Sequence, residues 1–227
     1  MPIPEDILQT AEPQPYAKIR ELVRDGDILL CSANDSFSNI IRWATRSQWS
    51  HVAIAFRIES IDRVMVLEAV EKLGVRTVPL SDFISRTSSG VTPYPGRILL
   101  TRHAAFTGGA AGGRMRRMAA FAFDRLGDRF AHGEVMKIVL RILFGRADMR
   151  MPRILGPTDE FICSEYVARC LAQAGVETPW DGLGFIAPSD IAADPRLSPV
   201  AQIDTRPSSV PPQTEAAGDS VEARGRQ

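Results

Sequence analysis

Five short apolar segments between residues 28 and 101 constrain the fold of this chain more than any other feature of its sequence. Their lengths and their content of branched apolar residues are typical of β-strands. Most of the connections between them are short, and short connections favour antiparallel neighbours. The sequence therefore predicts an α+β protein in which helices pack against a small antiparallel sheet or barrel. The predicted strands are residues 28–31, 51–58, 64–70, 74–79 and 97–101.

Apolar residues at helical spacing predict helices before, within and after this group of strands. Glycines at positions 127, 145 and 175 follow three of these patterns and are typical of helix ends. The predicted helices are residues 16–24, 36–45, 114–126, 134–144 and 163–174, with a brief helical turn at residues 80–84.

The composition along the chain predicts one folded domain between two less ordered ends. With 227 residues and 44% apolar content, the chain is long enough to bury one core. We interpret residues 1–15 as a flexible lead, residues 16–204 as the domain, and residues 205–227, which contain few large apolar residues, as a disordered tail. Within the domain, residues 127–160 are either a variable insertion with a solvated basic face, which is our preferred interpretation, or a segment that shapes a substrate groove.

The overall charge and the cysteine content exclude several classes of function. Lys and Arg together number 27, as do Asp and Glu, and a net charge of zero gives no reason to expect a nucleic-acid partner. Three cysteines without a CxxC pair favour neither a disulfide framework nor a zinc site, so no metal or cofactor is expected. The sequence has neither the pattern of a signal peptide nor a run of about 20 apolar residues. A cytoplasmic protein without a transmembrane segment is therefore expected.

Cys163 lies at the beginning of the last predicted helix, on the same line as Val167. Unpaired cysteines are often small core residues, which is our interpretation of Cys31 and Cys170. The position of Cys163 permits a second interpretation, because the free N–H groups and the dipole of a helix N-terminus stabilise a thiolate. The same N–H groups can bind the oxyanion that forms when sulfur attacks a carbonyl. Cys163 is therefore either a core residue or a nucleophile.

Histidine is rare in this chain, and one of the three histidines, His51, begins a predicted strand. His51 is either half-buried and bonded to the backbone, or placed to take the proton of a thiol and return it later. The ordinary pKa of histidine suits proton transfer near neutral pH. His103 and His132 lie in predicted loops, and we interpret them as solvated surface residues.

Glu68 interrupts an apolar face of the predicted strand at residues 64–70. A carboxylate buried in such a strand is costly unless it is paired or hydrogen-bonded. One interpretation is that Glu68 accepts the second N–H of an imidazole and thereby orients it. The other interpretation is that the strand lies at the edge of the sheet, where Glu68 points into water.

With these residues identified, the chain resembles the permuted papain-like enzymes of the YaeF/YiiX type, a branch of the NlpC-type superfamily of cysteine peptidases and amidases. Four motifs carry the resemblance: GDIL at 26–29, SHVAI at 50–54, VLEA at 66–69 and CSEYV at 163–167. Each motif is short, and their order and spacing together make the match specific. The resemblance spans roughly residues 22–190.

This resemblance implies a circularly permuted papain-like fold, because the histidine strand precedes the cysteine helix here, whereas papain-like enzymes ordinarily have the opposite order. It also implies that Cys163 is the nucleophile, His51 the general base and acid, and Glu68 the orienting group. A triad depends on geometry rather than on chain order, so the permuted order is compatible with catalysis.

The implied activity is that of a hydrolase that cleaves an amide bond in a peptide or a peptidoglycan fragment, with an acyl-enzyme intermediate. An alternative in the same superfamily is a thiol acyltransferase or hydrolase that acts on lipids. For that activity, the predicted helices at residues 114–126 and 134–144 would present an apolar surface. A further alternative is a non-catalytic binding module on the same fold. The sequence predicts no oligomeric state.

Overall fold

The computed structural model describes residues 3–71, 73–85, 93–108, 111–130, 160–179 and 186–206, and their fold confirms the expected α+β class. The strands are β1 (Pro13–Gln14), β2 (Asp27–Ala33), β3 (His51–Ile58), β4 (Arg63–Val70), β5 (Gly74–Pro79), β6 (Gly96–His103), β7 (Arg129–Phe130), β8 (Glu160–Phe161) and β9 (Leu197–Ile203). The helices are α1 (Ile7–Thr10), α2 (Tyr16–Leu22), α3 (Ser36–Thr45), α4 (Leu80–Ser85), α5 (Ala111–Asp124), α6 (Cys163–Gln173) and α7 (Pro188–Ala192).

Seven of these strands form one mixed sheet in the order β1–β9–β6–β2–β3–β4–β5. Among the described strands of this sheet, every pair is antiparallel except β1 with β9. The strands form an open row with β1 and β5 at its ends, so the protein adopts the sheet rather than the barrel. The five predicted strands correspond to β2 through β6, with ends close to those predicted.

Alternation along β3 explains why helices cover both faces of the sheet. Val52, Ile54 and Phe56 are buried on the face against which α5 and α6 pack. Ala53 and Ala55 are buried on the other face, together with apolar residues of α2 and α4. A strand places alternate residues on opposite faces, so each face of β3 contributes to its own part of the core.

The described part of the N-terminal segment contacts the rest of the fold. Ile3 and Leu8 are buried, and β1 pairs in parallel with β9, with Pro13 opposite Gln202. The sequence pattern predicts neither of these strands. A two-residue strand has no alternation, and the proline of β9 is unusual for a strand inside a sheet. Both strands form because each finds a partner that is distant in sequence.

Some predictions concern residues outside the described ranges. They are the predicted helix at residues 134–144, His132, residues 131–159 of the assigned insertion, and the tail from residue 207 onward. In the part of the chain that is described, no helix is both long enough and apolar enough to cross a membrane.

A short parallel pair connects the beginning of β5 with the beginning of α6. β7 pairs in parallel with β8, which ends just before α6 begins. Val75 of β5 donates a backbone hydrogen bond to the Asp128 carbonyl over 2.8 Å. Gly74 permits this close approach, because its φ is +74° and a Cβ there would lie 2.1 Å from the Asp128 oxygen. The N-terminus of α6 is thereby held close to the outer strands of the sheet.

Candidate active site

Cys163 is the first residue of α6 and is almost fully buried, with 9% of its surface exposed. The N-cap residue, Ile162, has no polar side chain that could bond the free N–H groups of the first turn. The backbone N–H of Ser164 bonds to the sulfur instead. Tyr166 fixes the helix on its neighbour, because its hydroxyl donates to the Ala122 carbonyl of α5 over 2.9 Å. The structure therefore places Cys163 at a helix N-terminus, as the sequence predicts.

His51 is the first residue of β3 and lies beside the beginning of α6. Its Nε2 is 2.7 Å from Oε2 of Glu68. The imidazole also hydrogen-bonds the sulfur of Cys163, and Nδ1 is the ring nitrogen that remains for this contact. Phe83 of α4 stacks beside the ring, with the two ring centroids 6.5 Å apart. The structure thus brings together the three residues to which the sequence directs attention.

The register of the sheet explains how Glu68 reaches His51. Ile54 of β3 pairs with Leu67 of β4, so Ala53 lies opposite Glu68 one step further on. His51 is two residues before Ala53 and therefore has its side chain on the same face. β4 lies between β3 and β5, and Glu68 is only 3% exposed. The alternative of an edge strand with Glu68 in water is wrong.

Arg76 is a fourth member of this group, and none of the four motifs contains it. It lies on β5, directly opposite Glu68. Its Nε and Nη2 donate to Oε1 of Glu68 over 2.9 Å and 2.7 Å. The register of the hairpin between β4 and β5 could have identified Arg76 from the sequence. Val70 pairs with Gly74, so counting two residues away from the turn on each strand places the opposite charges of Glu68 and Arg76 in a direct pair.

The thiol and the imidazole have pKa values shifted in opposite directions. Burial alone would raise the pKa of Cys163, but the charge and the N–H of His51, with the backbone N–H groups of Val52 and Ser164, lower it below its ordinary value. Burial would lower the pKa of His51, yet the Cys163 thiolate and the Glu68 carboxylate raise it to about 10. These shifts favour a thiolate and an imidazolium as the state of the pair.

Glu68 remains ionised despite its burial. Burial acts to raise its pKa, and the hydrogen bonds and charges of His51 and Arg76 together bring it below the ordinary value of a glutamate. The two carboxylate oxygens are divided between these partners, Oε2 toward His51 and Oε1 toward Arg76. A carboxylate held in this way can orient the imidazole and stabilise its charged form.

The other two cysteines have the opposite character. Cys31 in β2 and Cys170 in α6 are fully buried, and burial raises the pKa of each thiol well above its ordinary value. Buried thiols in apolar surroundings are chemically inert. The interpretation of both as core residues is confirmed, because each lies within a cluster of buried apolar side chains.

His103 is not the solvated surface residue that the sequence suggests. It is the last residue of β6 and is 1% exposed, so that interpretation is wrong. Its Nε2 is 3.3 Å from Oδ2 of Asp194, and its Nδ1 accepts the backbone N–H of Ala105 over 3.0 Å. The reason for the error is that β6 continues beyond its predicted end, where pairing with β9 supports residues of low apolar content.

Comparison with known proteins gives one matching family and a solved structure of similar fold. Residues 22–182 match the model of a family described as permuted papain-like amidase enzymes, the YaeF/YiiX or C92 family, and this range contains all four motifs. Among solved structures, the chain is similar to the metalloprotein yiiX from Escherichia coli O157:H7. The TM-score is 0.55 and the identity 19%, over 79% of this chain and 97% of that chain, which shows the permuted papain-like fold alone. A search of the curated proteins finds no match.

The description of the similar protein as a metalloprotein raises the question of whether this site fits a metal ion. Among the described residues, no group of three or more His, Cys, Asp or Glu side chains could hold one. Both oxygens of Glu68 are already occupied by His51 and Arg76, and a cation at this carboxylate would face the guanidinium. The described residues of this site therefore do not fit a metal ion, and no step of the proposed mechanism passes through one.

Proposed function

This chain belongs to the permuted papain-like amidase family of the YaeF/YiiX type, and we propose that it hydrolyses an amide bond with Cys163 as the nucleophile. His51 acts as the general base and acid, and Glu68 orients its imidazole. The observation that carries the proposal is that one imidazole interacts with both the thiol of Cys163 and the carboxylate of Glu68, with Nε2 2.7 Å from Oε2 of Glu68. We place the substrate among peptides and peptidoglycan fragments.

In the first half of the proposed reaction, the Cys163 thiolate attacks the carbonyl carbon of the amide and forms a carbon–sulfur bond. The negative charge moves to the carbonyl oxygen, which the free N–H groups of the first turn of α6 can stabilise. The carbon–nitrogen bond then breaks, and the departing amine takes the proton from Nδ1 of His51. The products of this half are the free amine, a thioester on Cys163 and a neutral imidazole.

In the second half, a water molecule enters beside the thioester and gives a proton to the neutral imidazole of His51. Its oxygen attacks the thioester carbon, the carbon–sulfur bond breaks, and the carboxylic acid is released. The thiolate of Cys163 and the imidazolium of His51 are thereby restored. Glu68 accepts the Nε2–H of the ring throughout, which keeps Nδ1 directed at the reacting atoms.

The two alternative functions have less support from the described residues. The lipid alternative depends on an apolar surface that two helices would form. In α5, which is one of them, Met118 and Ala122 are fully buried in the core shared with α6, and the second helix lies outside the described residues. The binding-module alternative requires an unreactive thiol, and the lowered pKa of Cys163 argues against it.

The proposal is tested with a panel of peptides, peptidoglycan fragments and N-acyl lipids, by measuring amine release together with the mass of the intact protein. We expect the wild-type protein to hydrolyse an amide substrate and to carry a transient acyl group on Cys163. Cys163→Ala should keep the fold, because alanine is favourable in a helix. It should lose both the hydrolysis and the acyl adduct.

Cys170→Ala is the matched control, because Cys170 is a buried thiol on the same helix. We expect this variant to keep its activity and to lose about 1 kcal/mol of stability. If a folded Cys163→Ala protein still hydrolyses the substrate, or a folded Cys170→Ala protein does not, the nucleophile is wrongly assigned. Turnover of the acyl lipids alone would favour the lipid alternative.

A further inference from the structure

The double contact of Arg76 with Glu68 is a feature that the proposed triad does not require. One carboxylate that accepts an imidazole N–H is sufficient to orient the ring. Here Arg76 donates two hydrogen bonds to Oε1, over 2.9 Å and 2.7 Å, while Oε2 lies 2.7 Å from His51. The side chain of Glu68 is 4% exposed and that of Arg76 is 30% exposed, so the guanidinium lies nearer to water than the carboxylate it contacts.

We propose that Arg76 is a positioning residue of this site, which holds Glu68 in one orientation and keeps it negatively charged while His51 gains and loses its proton. The inference rests on the proposed function, because it assumes that His51 changes its protonation state during the reaction. Arg76 itself contacts neither the thiol nor the substrate in this proposal and acts only through Glu68.

The proposed reaction changes the charge that Glu68 faces. His51 is positive before the attack and neutral in the acyl-enzyme. While His51 is positive, the buried Glu68 carboxylate has a charged partner on one side. Once His51 is neutral, a buried carboxylate without another cation would tend to take up a proton, because burial disfavours its charged form. The guanidinium of Arg76 carries a permanent charge and supplies a partner in both states.

The geometry of the hairpin also limits how Glu68 can move. Glu68 and Arg76 occupy directly paired positions of β4 and β5, where side chains of opposite charge face each other. Charge-assisted hydrogen bonds from two N–H groups of one rigid guanidinium constrain Oε1 in both distance and direction. Because Oε1 is constrained, Oε2 remains directed at His51.

Among the described residues, the other groups near this pair do not provide an equivalent charge. These described titratable groups are Cys163 from α6, Cys31 from β2 and Tyr94 from the segment before β6, while α4 carries Asp82 in its first turn. Burial raises the pKa of Cys31 and of Tyr94, so both are uncharged near neutral pH. Among these groups and Arg76, the guanidinium is the positive charge that stays unchanged during the reaction.

The test measures the rate of iodoacetamide labelling at Cys163 as a function of pH. The rate changes in one step where the thiol loses its proton and in a second step where His51 loses its proton. Loss of a nearby positive charge raises the pKa of a carboxyl group that it contacts. In Arg76→Gln this raises the pKa of Glu68, which then takes up a proton more readily and supports the imidazolium less, so we expect the His51 step to move to lower pH by about one unit. Arg76→Lys keeps the charge and should keep the profile close to that of the wild type. Low ionic strength is used, because salt screens the charge.

Arg102→Gln is the matched control for a purely structural effect. Arg102 also donates two hydrogen bonds to a buried carboxylate, that of Asp27, each over 2.7 Å, and its side chain is 18% exposed. We expect Arg102→Gln to lower the Tm and to leave the labelling profile of Cys163 unchanged. If Arg76→Gln also lowers only the Tm, the proposal is overturned. The triad is tested separately, because His51→Ala must slow the labelling whatever the role of Arg76.

A measurement on the wild-type side chains covers the case in which Arg76→Gln does not fold. Alkylation of Cys163 removes the thiolate, so His51 loses an anionic neighbour and releases its proton at lower pH. Carbon-13 NMR of labelled glutamate carboxyl groups, with Glu68 assigned from the Glu68→Gln spectrum, then follows Glu68 through this titration. We expect Glu68 to stay ionised at pH values both below and above the pKa of His51 in the alkylated protein. A Glu68 that is protonated at a pH where His51 is neutral overturns the proposal.

Discussion

Two clusters in this protein contain the same three kinds of side chain, a histidine, a carboxylate and an arginine, yet they hold the histidine in opposite states. The His51 cluster is the candidate active site. In the His103 cluster, Nε2 lies 3.3 Å from Oδ2 of Asp194, to which Arg196 donates over 2.7 Å. The pKa of His51 is raised to about 10, whereas burial lowers the pKa of His103 below its ordinary value.

The partner of Nδ1 explains this difference. The backbone N–H of Ala105 donates to Nδ1 of His103, so this nitrogen is an acceptor and the ring stays neutral. At His51 the same nitrogen faces the sulfur of Cys163, and a thiolate requires it to be a donor. A carboxylate beside Nε2 is therefore not enough to identify a catalytic histidine, because the group beside Nδ1 decides the charge.

The largest expected effect is on the reactivity of Cys163, which should depend on His51 and not on His103. In His51→Ala, the thiol loses its cationic partner while it remains buried, so its pKa rises. We expect iodoacetamide labelling at about pH 6.5 to slow by roughly 100-fold and amide hydrolysis to fall by about 1000-fold or more. Peptide-level mass spectrometry measures the labelling of each cysteine in one experiment.

His103→Gln provides the comparison for this prediction, because a glutamine amide can both donate to Asp194 and accept from Ala105. We expect the labelling and the hydrolysis of this variant to match those of the wild type. A similar loss of Cys163 reactivity in both variants would mean that the contrast between the two clusters has no functional meaning.

A smaller effect is expected when each carboxylate is replaced by its amide. Glu68→Gln keeps the size of the side chain but removes the charge that orients and stabilises the imidazolium. We expect kcat to fall by roughly 100-fold, the lower end of what acid–base catalysis contributes. Asp194→Asn should keep kcat and lose about 1–3 kcal/mol of stability, because a buried hydrogen-bonded group loses its ideal partner. Steady-state kinetics and urea unfolding of both variants measure the contrast, which fails if Asp194→Asn loses kcat to the same extent.

The parts of the site that could be predicted from the sequence are those that depend on local pattern. Cys163 and His51 each begin a regular element, and the patterns of α6 and β3 show this without tertiary information. Glu68 could be identified as anomalous, because a carboxylate interrupts an apolar strand. Whether it faced water or an imidazole depended on the neighbours of β4, which the sequence pattern does not determine.

The parts that could not be predicted depend on pairing between distant elements. β1 and β9 exist only as partners of each other and of β6, and His103 is buried because β6 and β9 continue past the predicted end of the strand. Arg76 is an intermediate case. Its pairing with Glu68 follows from the register of a local hairpin, but its significance appears only when the second oxygen of Glu68 is known to face His51.

The smallest expected effect is on how the free energy of unfolding changes with pH, and it tests the neutral state assigned to His103. Its folded pKa lies below the unfolded value near 6.5, so the unfolded chain binds more protons in the window below that value. Stability should therefore fall as the pH falls below about 6.5, by up to about 1.4 kcal/mol per pH unit within that window. In His103→Gln this decrease of stability at acid pH should be smaller, since glutamine does not titrate.

The loss of stability as the pH rises through about 10 is due to His51 and should be the same in the wild type and in His103→Gln. Urea midpoints between about pH 5 and pH 8 measure the slopes, and parallel acid slopes would show that His103 is not held neutral by its Nδ1 contact.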